Sequence, residues 1–171
     1  MAKSVWWRTL GFVVLTIVAQ FSRADDQHAL WQSLLSKHVY VAEGGYATTV
    51  DYSSFAKDRA VLARYLETLS SVSPAEFDRW SEARQLAFLI NAYNAWTVEL
   101  ILRHYPGIDS IREIGGWFRS PWKLPFFDLL GKRRSLDELE HEMIRENYAE
   151  PRIHFAVNCA SIGCPALSKE P

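Results

Sequence analysis

Apolar residues recur along this chain at helical spacing in several long stretches, and the breaks between them carry capping residues, glycines and prolines. A first helix is expected from about Gln27 to His38, with Leu30, Leu34 and Val41 trending to one side and Asp25-Asp26 placed to cap it. Val39 to Tyr52 holds Gly44-Gly45 and β-branched residues, the pattern of a turn between short extended pieces. A second helix follows to about Leu69, capped by Ser53 or Ser54, with Phe55, Leu62, Tyr65, Leu66 and Leu69 in register. Ser73-Pro74-Ala75-Glu76 has the form of a capping box with proline at the first helical position and opens a short helix to about Trp80. Ser81 then caps a long helix from Glu82 to about His104, stopped by Pro106-Gly107.

The later half reads less regularly. Gly115 to Pro125 is an aromatic-rich loop with Trp117, Phe118 and Trp122, and Phe126–Leu130 with Arg133-Arg134 forms a hairpin around Gly131. Ser135-Leu136-Asp137-Glu138 is a second capping box, starting a helix to about Tyr148 that Glu150-Pro151 ends. Ile153 to Val157 reads as a buried strand that breaks into a small-residue loop, Asn158 to Pro165. The expected fold class is therefore α+β: a predominantly helical single domain with a small sheet that contains Ile153 to Val157. Nothing after Cys164 supplies an element to cover such a strand, whose backbone groups need partners. A missing C-terminal piece is the corresponding expectation.

Two clusters carry candidate chemistry. Within the long helix, Leu86 to Trp96 is apolar almost all round, which marks a buried helix, yet it holds Asn91 and Asn94 on one face. A buried unpaired amide costs roughly 1–3 kcal/mol, so both must be hydrogen-bonded. They either tie down neighbouring loop backbone or orient a catalytic group or substrate. The second cluster is the loop after Val157, which carries both cysteines, Cys159 and Cys164. Side chains of a regular strand alternate, so His154 would point away from Cys159, and His141, beside Glu140, becomes the alternative base. A thiol nucleophile needs a base and an orienting group. Cys159 would be the thiol, His141 or His154 the base, and Asn91, Asn94 or Asn158 the orienter. Backbone amides from Cys159 to Gly163 would offer an oxyanion site. Zinc held by the two cysteines and a histidine is a weaker alternative, because the ligand spacing is not a standard one.

The N-terminus changes where this chemistry would operate. Lys3 and Arg8 precede an apolar stretch from Leu10 to Ala19, and Ser22-Arg23-Ala24 offers a cleavage point before Asp25. Residues 1–24 therefore read as a signal peptide, the run being short of the roughly 20 residues a membrane span needs. The remaining 25–171 carry sixteen basic and twenty acidic side chains, a net charge of −4, with no basic stripe to suggest nucleic acid and no further apolar run long enough to span a membrane. Export to a periplasm or beyond would place both thiols in an oxidising compartment, where two cysteines pair unless something prevents it. No cofactor is indicated. The partner class is a small molecule or a peptide.

Four stretches resemble the DUF547 family: Val50-Asp51-Tyr52, Ala87 to Ala95, Ser135 to His141, and Pro151 to Cys159 continuing through Cys164-Pro165. They run in family order and cover most of residues 25–171. The resemblance implies an exported single-domain protein of a family that extends further on the C-terminal side, and it carries no established activity or catalytic residues. Leu89 stands where family members usually have tryptophan, an apolar exchange. Two readings stay open. One is a cysteine-dependent hydrolase or acyl transferase using Cys159. The other is a non-catalytic binding or structural module in which Cys159 and Cys164 form a disulfide and the aromatic loop from Trp117 to Phe127 provides the contact surface, with Asn94, Asn158 and Cys164 as candidate binding residues.

Overall fold

The long helix sits at the centre because its sequence leaves it no polar face from Phe88 onward. In the computed structural model, which describes residues 27–45, 47–115, 119–161 and 163–171, this helix runs Glu82–Leu102, and every residue from Asn91 to Leu102 is buried. Two of its polar members bond back along the helix itself. Asn91 Nδ2 donates to the Ala87 carbonyl (3.0 Å) and Thr97 Oγ1 to the Tyr93 carbonyl (2.8 Å), each four residues back along the same helix. Glu99, 7% exposed, is held by Arg59 (3.0 Å) and Arg103 (2.8 Å), so its charge is buried with two counter-charges.

Around it the chain runs in the order α1 (Ala29–His38), β1 (Val39–Val41), β2 (Thr48–Val50), α2 (Tyr52–Phe55), α3 (Arg59–Ser70), α4 (Pro74–Phe77) and α5, the long helix itself. The hairpin β3 (Phe127–Leu129) and β4 (Lys132–Arg134) follows, then α6 (Leu136–Glu138), a π-helix over Leu139–Arg145 and α7 (Ile153–Ala156). Short 3-10 turns fill Ala56–Asp58, Ile111–Glu113 and Pro121–Lys123. Both sheets are two-stranded and antiparallel, with Val39 opposite Val50 and Phe127 opposite Arg134. The fold is thus α+β and mainly helical, as expected.

Aromatic packing joins the layers. Trp31 of α1 stacks on Tyr65 of α3, with ring centroids 5.7 Å apart and planes within 2°. Trp96 of α5 stacks on Phe127 of the hairpin at 4.7 Å. These large rings contribute apolar area and a geometric preference together, the latter worth about 0.5–1.5 kcal/mol per pair. The β3–β4 turn is tight enough to need left-handed backbone at both central residues, Leu130 (φ 50°) and Gly131 (φ 73°).

Several expected boundaries move, each for a local reason. The second helix is capped by Asp51, whose carboxylate accepts from Ser54 N–H (2.9 Å), not by Ser53 or Ser54, and a 3-10 turn splits it before Arg59. Ser73, Ser81 and Ser135 cap as anticipated, Ser135 with the full reciprocal bonds to Glu138. The helix after Ser135 widens into the π form. Arg145 reaches back five residues to Glu140 (2.7 Å), and Glu146 N–H donates to the His141 carbonyl five residues back, so side-chain and backbone spacing agree. The expected signal peptide at 1–24, the proposed cap Asp25-Asp26, and Trp117 and Phe118 of the aromatic loop lie outside the described residues.

The largest correction concerns Ile153 to Val157, which is not a strand. It is the short helix α7, entered through Pro151-Arg152 and wound by Phe155 N–H to the Arg152 carbonyl (2.9 Å) and Val157 N–H to the Ile153 carbonyl (3.3 Å). Glu150 fixes the entry by accepting the Arg152 N–H (2.9 Å) and guanidinium (2.6 Å). A strand face would bury Phe155 with Ile153 and Val157. Instead Ile153 and Val157 are buried while Phe155 is 72% exposed. As a helix, Ile153–Ala156 bonds its backbone locally and calls for no neighbouring strand. Residues 165–171 do pack back: Leu167 is buried, and its carbonyl accepts from Thr48 Oγ1 (2.9 Å).

One buried contact gives the fold a pH dependence. His28 Nδ1 lies 2.7 Å from the Tyr65 hydroxyl, and burial, with the Arg84 guanidinium adding to it, pushes the imidazole down to about 4. The folded protein therefore holds His28 neutral, accepting from the phenol, while the unfolded chain protonates it near 6.5. Above that range the contribution is complete. It is lost as the pH falls from about 6.5 to about 4. Urea midpoints across this window should fall more steeply for the wild type than for His28→Gln, and parallel curves would refute the assignment.

Candidate functional site

The loop after α7 is held by two asparagines. Asn94, buried on α5, donates from Nδ2 to the Ala156 carbonyl (2.9 Å) and accepts at Oδ1 from Asn158 N–H (2.9 Å). One planar amide thus grips the backbone on both sides of Val157. Asn158 repeats the device within the loop: its Oδ1 accepts from Ala160 N–H (3.0 Å) and its Nδ2 donates to the Pro165 carbonyl (2.6 Å). The Trp122 indole donates to the Cys159 carbonyl (3.3 Å), and Cys164 N–H donates to the Ser161 carbonyl (3.0 Å). Ala160 takes a left-handed conformation (φ 54°), as does Gly163 (φ 91°), which lets the loop fold back on itself.

Cys159 and Cys164 form a disulfide across this loop, with Cα atoms 6.0 Å apart. Closing so short a loop contributes about 2 kcal/mol by chain entropy. The two sulfur-bearing residues differ in setting. Cys159 packs against the hydrophobic core, whereas Cys164 lines an open cleft of about 950 Å³. The other walls of the cleft come from Thr48 and Val50 of β2, Tyr52, the end of α5 at Ile101, the Ile108–Arg112 turn, and loop residues that include Asn158, Ala160, Ser161 and Pro165 to Leu167. Arg112 crosses the mouth to the loop, its guanidinium 3.5 Å from Ser161 Oγ, and Ser110 Oγ caps the Arg112 N–H (3.3 Å). Burial pushes the Tyr52 phenol above its ordinary value, so it stays protonated.

The structure gathers some of the residues expected at a site and scatters others. Asn94, Asn158, Cys159 and Cys164 are connected as described. Asn91 lies one turn away and spends its amide donor on Ala87. His141 is exposed on the π-helix, its nearest carboxylate being Asp137 at 4.0 Å. His154 is exposed on α7, edge-on to Phe155, and neither imidazole bonds to a cysteine. The parity argument that set His154 against His141 does not apply, since α7 is helical. Of the amides expected to form an oxyanion site, Ala160 N–H is already used by Asn158. Among the described residues, no group of three or more His, Cys, Asp or Glu side chains is placed to hold a metal ion. Arg112, Ser110 and Thr48 were not anticipated, because a charge, a hydroxyl and a strand end far apart in sequence give no local signal. Tyr52 lies within one of the family-like stretches, which was the available hint.

The Asn94 amide is testable by itself. Asn94→Leu removes partners from a buried carbonyl and an N–H at once, and should cost about 2–4 kcal/mol at roughly 1–3 per stranded group. Asn94→Asp keeps the acceptor for Asn158 but, when ionised, buries an unpaired charge against the Ala156 carbonyl, so near neutral pH it should cost at least as much, and less as the pH falls and the carboxyl regains a proton to donate. Urea unfolding would give both values, and amide exchange at Asn158 should quicken in Asn94→Leu but much less in Asn94→Asp. Equal, small losses in the two variants would mean the grip is not needed.

No curated protein and no solved structure matches this chain. The family described as "Protein of unknown function, DUF547" matches residues 77–169, from the end of α4 through the cysteine loop and its return past Leu167. That span holds Asn94, Asn158 and both cysteines, and it covers more than half of the sequence: the chain belongs to the DUF547 family.

Proposed function

We propose that this chain is an exported binding domain whose cleft takes a small molecule or a short peptide, with the disulfide-closed loop as one wall. The observation that carries this reading is the cleft itself. It is large enough for such a ligand, and its loop wall is shaped by the Asn94 and Asn158 bonds rather than left to move. Rigid walls lower the ordering cost of binding. The Cys159–Cys164 bond supports export, because such bonds persist in oxidising compartments. Among the described residues no helix is long and apolar enough to cross a membrane.

A cysteine-dependent hydrolase or acyl transferase requires a free Cys159 thiolate beside an imidazole. With Cys159 bonded to Cys164 and facing the core, and with His141 and His154 exposed elsewhere, that reading has less support.

Ala166 is an exposed residue on the cleft wall, so Ala166→Trp would fill the cleft with little effect on the fold. Mixed-sequence hexapeptides and a set of polar metabolites should each be titrated against the native, unreduced protein. A binder at a hundredfold excess over its Kd should raise the unfolding free energy by about 2.7 kcal/mol. The rise should vanish in Ala166→Trp while the unliganded Tm stays within a few degrees. A rise that survives in Ala166→Trp would place the binding elsewhere, and hydrolysis of a probe by the reduced protein alone would restore the enzyme reading.

A further inference from the structure

The two halves of the disulfide are not equivalent, and the difference has chemical content. Cys159 packs against the core and its carbonyl is fixed by Trp122 (3.3 Å). Cys164 lines the cleft, and the residue before it, Gly163, opens onto space: a Cβ built there would meet no atom within 4 Å. The loop is meanwhile tied by Asn158 to Ala160 and Pro165 and by Asn94 to its start, bonds that do not involve sulfur. Breaking the disulfide therefore leaves the loop backbone held in place.

We propose that the cleft is a thiol–disulfide exchange site in which Cys164 is the sulfur attacked and Cys159 the leaving sulfur, the substrate being a thiol-bearing peptide or small molecule. This rests on the cleft as the binding site and names the ligand class it accepts. A substrate thiolate entering the cleft attacks Cys164 Sγ. A substrate–Cys164 disulfide bond forms as the Cys159–Cys164 bond breaks, the electron pair leaves on Cys159 Sγ, and that sulfur takes a proton from water. A second substrate thiolate then attacks the substrate sulfur of the mixed disulfide and expels Cys164 as a thiolate. Two thiols are oxidised to one disulfide, and the protein disulfide is reduced to a dithiol. Exchange rates depend on access to the attacked sulfur; both cysteines are half-buried, but Cys164 lines the cleft whereas Cys159 packs against the core and is not among the cleft's walls.

The native protein should be mixed with a hexapeptide carrying one cysteine, quenched with acid over a time course and mapped by mass spectrometry. At the earliest times adducts should fall on Cys164 about tenfold more often than on Cys159, since access controls the rate. In parallel, Cys159→Ser leaves Cys164 as a lone thiol and Cys164→Ser leaves Cys159. The first should react with dithiodipyridine about tenfold faster than the second, and the gap should close in urea, where access is equal. Circular dichroism of both variants should match that of the native protein. Adducts chiefly on Cys159, no adduct on either, or equal native rates in the two variants would overturn the proposal. Ala166→Trp separates it from the binding reading. Slower capture of the peptide with unchanged capture of mercaptoethanol supports both; unchanged capture of both thiols at Cys164 would leave a reactive disulfide but overturn the cleft as its substrate site, whereas ligand binding lost in Ala166→Trp with no adduct on Cys164 in the native protein would overturn the exchange alone.

Discussion

The Asn94 amide, gripping the Ala156 carbonyl and the Asn158 N–H from the middle of a buried helix, is the contact on which the cysteine loop depends. It converts the rigidity of α5 into the position of a segment that has no sheet to join. The geometry suits an amide and little else. A carboxylate at pH 7 lacks the donor, a lysine lacks the acceptor, and an apolar side chain strands both backbone groups. From that anchor Asn158 carries order onward to Ala160 and Pro165, and the loop reaches the cleft with its shape already set. Asn94 and Asn158 thus form one connected chain of hydrogen bonds, which specifies a single arrangement of the loop where apolar contacts would tolerate several.

Much of the scaffold was legible in the sequence. Serine caps at Ser73, Ser81 and Ser135 were visible because their chemistry is local, a hydroxyl meeting an amide three residues on. The Gly131 hairpin and the buried character of the long helix were equally local. Ile153 to Val157 was misjudged because a five-residue apolar run has no period that separates strand from helix. What decided it lay outside the run: Glu150 winding the entry through Arg152, and Asn94 waiting for the Ala156 carbonyl. The π-helix was invisible for a similar reason. An i, i+5 pair such as Glu140 and Arg145 is unremarkable in sequence until the backbone has widened to meet it.

The candidate site was half legible. Asn94, Asn158 and the two cysteines were identifiable as residue types too costly or too reactive to be incidental, and they do connect. Their expected division of labour changed. Of the two roles open to Asn94, tying down loop backbone is the one its bonds serve, and the cysteine that lines the cleft is Cys164, not Cys159. The cleft as a whole had no signature, since its walls come from β2, the end of α5, the Ile108–Arg112 turn and the final segment, which only tertiary packing brings together.

The bond from Thr48 to the Leu167 carbonyl spans 119 residues, and Gln32 reaches the Lys169 carbonyl across 137. Contacts so distant in sequence cannot form until the intervening chain exists, and closing so long a loop is entropically slow. Because Leu167 is buried in the core and also lines the cleft, loosening this final segment would open the wall and unpack the core together.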